Sequence, residues 1–269
     1  MDQKRKELVF LKLGGSLITD KTQPKTPRMD VLNRILREIQ QAKSENPWLK
    51  IVLGHGSGSY GHSAGKKFGT RNGVYDENGW KGFYKVYHAA RELNQLVYET
   101  AQSVDLQLLP IPLCTNASVA QREVIKWNLS PLKQALQHGF IPLVYGDVAF
   151  DSVLGGTILS TEEIFGHLLN ELRPDRILLA GIEPGIWKDF PANTSIIDDI
   201  RLTAWRDHRI SLQGSDATDV TGGMKSKVES MLKIIQQHPD CEILIFSGLE
   251  AGSIMEVLSG ELIGTRIRH

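Results

Sequence analysis

The feature that most constrains this chain is an alternation. Short apolar runs, too brief to be buried helices, take turns with stretches of helical periodicity along nearly the whole length. Leu8 to Leu13, Trp48 to Leu53, Leu106 to Leu113, Ile141 to Tyr145, Ile177 to Ala180 and Ile243 to Phe246 read as strands. Pro110 and Pro112 weaken the end of the third run, because proline cannot donate to a ladder. A helix opens near Asp30 with Val31, Ile35 and Ile39 on its core face and Leu32 and Leu36 beside them. Others run from about Asn78 to Val104, from Ser130-Pro131, and from Met224 to Gln237. Ser160 and Glu163 form a capping box for one ending at Leu172. Phe150–Asp151 and Thr157–Leu159 read as a hairpin around Gly155-Gly156.

Apolar strands without polar alternation, separated by helices, belong to a mainly parallel sheet covered on both faces. The expected fold is therefore α/β, a three-layer αβα sandwich. No repeat, linker or low-complexity segment divides the 269 residues, so one domain over 1–269 is expected. In such sheets ligands gather at the carboxyl ends of the strands, and function belongs in the loops found there.

Composition narrows the choices of ligand. Lys+Arg and Asp+Glu both number 31, so bulk electrostatic capture of nucleic acid or an anionic membrane is disfavoured. Cys114 and Cys241 match no metal or redox spacing and read as core thiols of a reducing compartment. The run Leu8–Leu13 is too short for a signal-peptide core, and no apolar stretch approaches the ~20 residues of a membrane span. A soluble cytoplasmic protein is expected.

Four loops carry chemistry. After the first strand come Lys12-Leu13-Gly14-Gly15-Ser16, with Lys21 shortly beyond. Glycines let backbone N–H groups approach an anion, and a lysine adds a point charge; an ordinary strand-to-helix turn with a snorkelling lysine is the competing reading. After Leu53 a long glycine-rich loop is expected, reaching the helix near Asn78. It contains His55-Gly56-Ser57-Gly58-Ser59-Tyr60-Gly61-His62. The G-x-G-x-x-G within it suggests a dinucleotide site, with Asp76 and Glu77 at about the distance of a ribose-binding acid. The residues after Gly61, however, lack the apolar face that the helix of such a site needs. Gly65-Lys66-Lys67 fails as a Walker loop for want of Ser/Thr. An anion-binding glycine loop closed by His62 remains. The third loop, Tyr145-Gly146-Asp147, puts an acid where it can meet a magnesium-bound phosphate, orient a lysine or simply cap local backbone. The fourth, Thr218 to Lys227, is a glycine turn leading into a helix. Lys225 and Lys227 sit in its first turn, where an anion would offset their conflict with the helix dipole; a solvated lysine pair is the competing reading. Such cationic glycine loops on one sheet edge suit phosphoryl transfer, in which the protein positions and neutralises the moving group.

These segments, L-K-L-G-G-S-L-I-T-D-K at 11–21, H-G-S-G-S-Y-G-H at 55–62, V-Y-G-D-V at 144–148, T-D-V-T-G-G-M-K-S-K at 218–227 and G-T-R-I at 264–267, resemble in order the amino acid kinase superfamily. Within it they are most similar to the isopentenyl phosphate kinases. The resemblance runs over nearly the whole chain. It implies ATP-dependent phosphorylation of isopentenyl phosphate to isopentenyl diphosphate in isoprenoid biosynthesis, with Mg²⁺ held mainly by the ATP phosphates. It also implies a homodimer, an acceptor side over roughly 1–172 and a nucleotide side over roughly 173–269. On its terms Lys12, Gly14, Gly15, Ser16 and Gly58 meet ATP, as do Gly181, Gly185, Gly223 and Lys227. Lys21 stabilises the transition state. Ser57, His62 and Gly146 hold the acceptor phosphate, while Asp147 and Glu162 orient lysines or metal. Two segments depart from the family pattern: Ser160-Thr161-Glu162 replaces a usual Ser-Gly-Asp, and Ala180 to Trp187 replaces T-D-V-D-G-V-Y.

Three other readings compete. One is a fosfomycin-type phosphonate kinase or another small-molecule kinase of the same superfamily. Another is an NAD(P)-dependent oxidoreductase built on the G-x-G-x-x-G. The third is a non-catalytic nucleotide-binding or storage subunit.

Overall fold

A computed structural model describes residues 7–204 and 223–269, without the side chains of 62–64, 66, 204, 223–227 and 230. Its main sheet is built from β1 (Glu7–Leu13), β4 (Leu49–His55), β5 (Leu108–Pro110), β8 (Ile141–Tyr145), β11 (Arg176–Gly181), β14 (Asp199–Arg201), β15 (Glu242–Ser247) and β16 (Thr265–Arg268). Their order is β14-β16-β15-β11-β1-β4-β8-β5, and every pairing is parallel except β15 with β16. β6 (Ala117–Ala120), β7 (Glu123–Trp127), β9 (Asp147–Asp151) and β10 (Gly155–Leu159) form a second sheet. Two small ribbons complete the strands: β2 (Thr19–Asp20) with β3 (Thr26–Pro27), and β12 (Ile186–Trp187) with β13 (Ile196–Ile197).

Alternation along β1 explains the layers. Val9, Leu11 and Leu13 enter one apolar core with Leu32, Ile35, Leu36 and Ile39 of α2 (Met29–Glu45), Leu93 and Val97 of α4 (Glu77–Gln102), and Ile254 and Val257 of α8 (Ser253–Leu258). Phe10 enters the other, with Leu132 of α5 (Ser130–Gln137), Ile164 and Leu168 of α6 (Thr161–Leu172), and Val228 and Leu232 of α7 (Gly223–Gln237). Helices thus cover both faces, as expected of a three-layer α/β sandwich. The capping box on α6 is present: the Ser160 hydroxyl accepts from the Glu163 amide, and Glu163 accepts from the Ser160 amide.

Three local expectations change. The stretch after β4 is not one long loop, because Gly58–Phe68 forms α3. Its apolar face is short because glycines make its contacts: a Cβ on Gly65 would lie 3.2 Å from Ile158 Cδ1, and one on Gly82 of α4 would overlap Phe68. The strand from Leu106 shrinks to β5; beyond Pro110 the Ile111 amide still donates to Leu143 O at 2.8 Å, and Pro112, without an N–H, cannot continue the ladder. The hairpin of β6 and β7 was not foreseen. Its mixed exposure gives no clean apolar run, and it is held by long-range bonds in which the Asp151 carboxylate accepts from the Gln121 and Arg122 amides.

Candidate active site

The order β11-β1-β4 places the topological switch point between β1 and β11, where the chain's crossovers run outward in opposite directions. The first three loops of the sequence reading lie around the carboxyl ends of these strands and of β8. In register, Lys12 sits opposite Gly54 and Leu179, Leu13 opposite His55 and Ala180, and His55 opposite Tyr145. The Gly14 amide donates to Ala180 O at 2.8 Å and closes the switch point.

The loops after β1 and β4 touch through bare backbone. A Cβ on Gly15 would overlap the Gly58 nitrogen, and one on Gly56 would lie 2.8 Å from the Gly15 nitrogen. Gly58 has a φ of +50°, a left-handed conformation that glycine adopts without strain. The glycines at 15, 56 and 58 are therefore required by close approach of two chains. The close approach also brings two helix starts side by side: α1 (Gly15–Ile18), which carries Ser16, and α3, which follows Ser57. Amide-rich helix starts favour an anion.

Lys12 lies on β1 two residues before Gly14, and its Nζ donates to Glu162 Oε1 at 2.5 Å. The lysine is largely buried and the glutamate partly exposed. α6 delivers Glu162 in its first turn, and Thr161 beside it donates to His55 O at 2.6 Å. That helix approaches so closely because position 54 is glycine: a Cβ there would lie 2.6 Å from Thr161 Cγ2 and 2.8 Å from Phe165 Cζ.

Lys21 sits exposed in the turn between β2 and β3. Gly146 links β8 to β9, half-buried near Thr161. Gly181 ends β11, and a side chain placed on it would meet nothing closer than 3.9 Å. Gly185 is instead packed away, since a Cβ there would lie 2.6 Å from Thr265 Oγ1. His62 is on α3, and Gly223 and Lys227 are on α7. The side chains of His62 and Lys227 lie outside the described residues, as do Thr218 to Gly222.

Asp147 does not pair with a lysine among the described residues. One carboxylate oxygen accepts from the Val148 amide at 2.8 Å, and the other is buried without a hydrogen-bond partner among the described residues. Burial raises its pKa to about 7, against the pull of the Val148 and Cys114 amides and of Arg91. The lysine-facing acid is Glu162.

Sequence reasoning missed two side chains that organise the loops. His55, fully buried, donates from Nδ1 to Gly56 O at 3.1 Å, and its Nε2 accepts from Asn94 Nδ2 at 3.2 Å. These bonds fix the neutral tautomer, since a carbonyl can only accept. Burial holds the ring's pKa down to about 4, opposed by the Gly56 bond and assisted by Lys12. The ring also stacks on Tyr145 at 5.4 Å. Thr19, likewise fully buried, donates from Oγ1 to Gly15 O at 2.7 Å and accepts from the Ser59 amide at 2.9 Å. Both residues stand inside the motifs already singled out, but nothing in their spacing separates an inward, loop-bracing side chain from a ligand-facing one.

Residues 7–247 match the family model described as "Amino acid kinase family". The chain belongs to the amino acid kinase family. This amino acid kinase is 33% identical to an isopentenyl phosphate kinase of Methanocaldococcus jannaschii over 97% of its own length and 98% of the relative's. It is 32% identical to an isopentenyl phosphate kinase of Haloferax volcanii over 84% and 88%. A solved isopentenyl phosphate kinase superposes on it with a TM-score of 0.78, covering 97% of this chain and 99% of that one; at 23% identity this likeness establishes the fold.

Proposed function

We infer that this amino acid kinase transfers the γ-phosphoryl group of ATP to isopentenyl phosphate, giving isopentenyl diphosphate and ADP in isoprenoid biosynthesis. One observation carries the reading: a largely buried lysine at the end of β1, paired with a carboxylate, directly precedes the first of two glycine loops in mutual contact. It does so in a chain that aligns end to end with kinases of that name. The oxidoreductase reading loses its support because Gly15, Gly56 and Gly58 serve the contact between the two loops.

The acceptor is an anionic phosphate at neutral pH, so the reaction needs no strong base. One of its oxygens attacks the γ-phosphorus in line while the bond to the bridging oxygen breaks and ADP departs with that electron pair. The obstacle is the approach of two anions. Lys12 and Lys227 would draw in the ATP phosphates, and Lys21 the charge that builds on the transferring group. Gly14, Gly15, Ser16, Gly58, Gly181 and Gly223 would line the ATP side. Gly185 would act there only indirectly, by seating Gly181 to Trp187 against β16. Ser57, His62 and Gly146 would hold the acceptor phosphate. A groove of about 600 Å³ beside α4, lined by Tyr60, Tyr84, Tyr87, His88, Arg91 and Glu92 among others, would flank the acceptor side, and Tyr84 or its neighbours would face the alkyl tail.

Among the described residues no group of three or more His, Cys, Asp or Glu side chains can hold a metal ion. Mg²⁺ would be held mainly by the ATP phosphates, with water completing the octahedral shell it prefers. Roughly, residues 1–172 would form the acceptor side and 173–269 the nucleotide side of one cytoplasmic, homodimeric enzyme. No helix among the described residues is long and apolar enough to cross a membrane.

The deciding experiment measures ADP release from Mg-ATP with a panel of acceptors. Turnover should be highest with isopentenyl phosphate and low with fosfomycin. No release with any alkyl phosphate, in protein shown to be folded, would sink the reading.

A further inference from the structure

The ribbon of β2 and β3, which carries Lys21, is fastened at two places. At its base, the Thr19 hydroxyl joins the two glycine loops, donating to Gly15 O and accepting from the Ser59 amide. Thr19 is completely buried, and a Cβ on Gly58 would overlap its Oγ1, so the hydroxyl fills the space that glycine leaves. On the other arm, the Lys25 amide donates to Ser59 O at 3.3 Å and the Thr26 amide to Ser59 Oγ at 3.1 Å. Outside these, Lys25 Nζ pairs with Glu92 Oε2 of α4 at 2.5 Å, with His88 Nδ1 3.4 Å from the same oxygen.

From this geometry we propose that Thr19 and the Lys25–Glu92 pair are positioning elements. Together they clamp the Lys21 ribbon onto the first turn of α3 and set the lysine's place over both loops. The proposal rests on the phosphotransferase reading. Ser59 is the common anchor, since its amide, carbonyl and hydroxyl are all engaged by the ribbon. The ribbon is only two residues deep on each arm, so its own ladder cannot hold it. The buried hydroxyl fixes direction because it bonds two backbones at once, while the exposed ion pair only restrains swing. A lysine that stabilises charge in the transition state has to be placed within about an ångström. Misplacement on that scale costs up to ~100-fold in rate and little in ground-state binding.

The test compares Thr19→Val, which keeps the shape and removes the hydroxyl, with Thr19→Ser, which keeps the hydroxyl. Thr19→Val should lower kcat at least ~10-fold while leaving both KM values within about threefold, and amide hydrogen exchange should accelerate over 57–61. Thr19→Ser should stay within about threefold of the parent in kcat. The proposal is overturned if folded Thr19→Val keeps parental kcat and exchange, or if Thr19→Ser falls as far as Thr19→Val. Should Thr19→Val fail to fold, the exposed arm decides. Lys25→Glu and Glu92→Lys should each lower kcat and the double reversal restore it, and four equal kcat values would overturn the clamp. Turnover by the parent enzyme tests the phosphotransferase reading alone, and hydrogen exchange reads the clamp without turnover.

Discussion

Lys12 Nζ and Glu162 Oε1 stand 2.5 Å apart across 150 positions of sequence. One is near the end of the central strand, the other in the first turn of the helix that directly follows β10 of the second sheet. The pair fixes the ammonium and offsets its charge until an anion enters. Glu162→Gln keeps the shape and removes the charge. It should lower kcat ~10–100-fold in steady-state assays, since an ill-placed lysine loses transition-state contact first. Glu162→Asp, one methylene shorter, should fall between the two.

The glycines divide into those the backbone demands and those a ligand would demand. Gly15→Ala drives a methyl group into the Gly58 backbone, so thermal unfolding should show a loss of several kcal/mol, on the order of 3, and activity should vanish with it. Gly181→Ala has room, the nearest atom being 3.9 Å away, and its melting temperature should match the parent's. If Gly181 lines the ATP site, the KM for ATP should nonetheless rise. An unchanged KM would remove it from that site.

Asp147 works against the fold at neutral pH. Its pKa is about 7 in the native state and near 3.8 when unfolded, so the native state binds more protons between these values. Stability should therefore fall as pH rises from about 4 through 7. The fully ionised group costs at most about 4 kcal/mol. Asp147→Asn should remove that slope. Denaturant melts at pH 5 and pH 8 should show the variant gaining on the parent at the higher pH. Parallel curves would exclude Asp147 as the source.

His55 has the opposite sign. Held neutral with a pKa of about 4 against 6.5 unfolded, it contributes stability above pH 6.5 that is lost as pH falls through 4. His55→Phe keeps a ring against Tyr145 but strands Gly56 O and the Asn94 amide. At pH 7 it should be destabilised by about 1–3 kcal/mol for each group left unmatched. The deficit should narrow between pH 6.5 and 4.5 in the same melts.

By itself the sequence determined the layers and most of the elements in them. Apolar runs such as Leu8–Leu13 and Ile177–Ala180 have only one stable setting, a sheet covered on both faces, and the Ser160–Glu163 capping box is a local signal that tertiary packing had no reason to override. It also marked the first three loops that the structure places at one sheet edge, because glycine and lysine at strand ends are local facts too. Local pattern failed over Gly58–Phe68, where a helix is built on glycines whose value lies in what packs against them. Only the tertiary structure decided that Lys12 meets Glu162 while Asp147 lies buried elsewhere. Only it showed that Thr19 and His55 turn inward to brace backbone. Those outcomes depend on which strands become neighbours, and β1 acquires β4 and β11 on its two sides through pairings that no window of sequence contains.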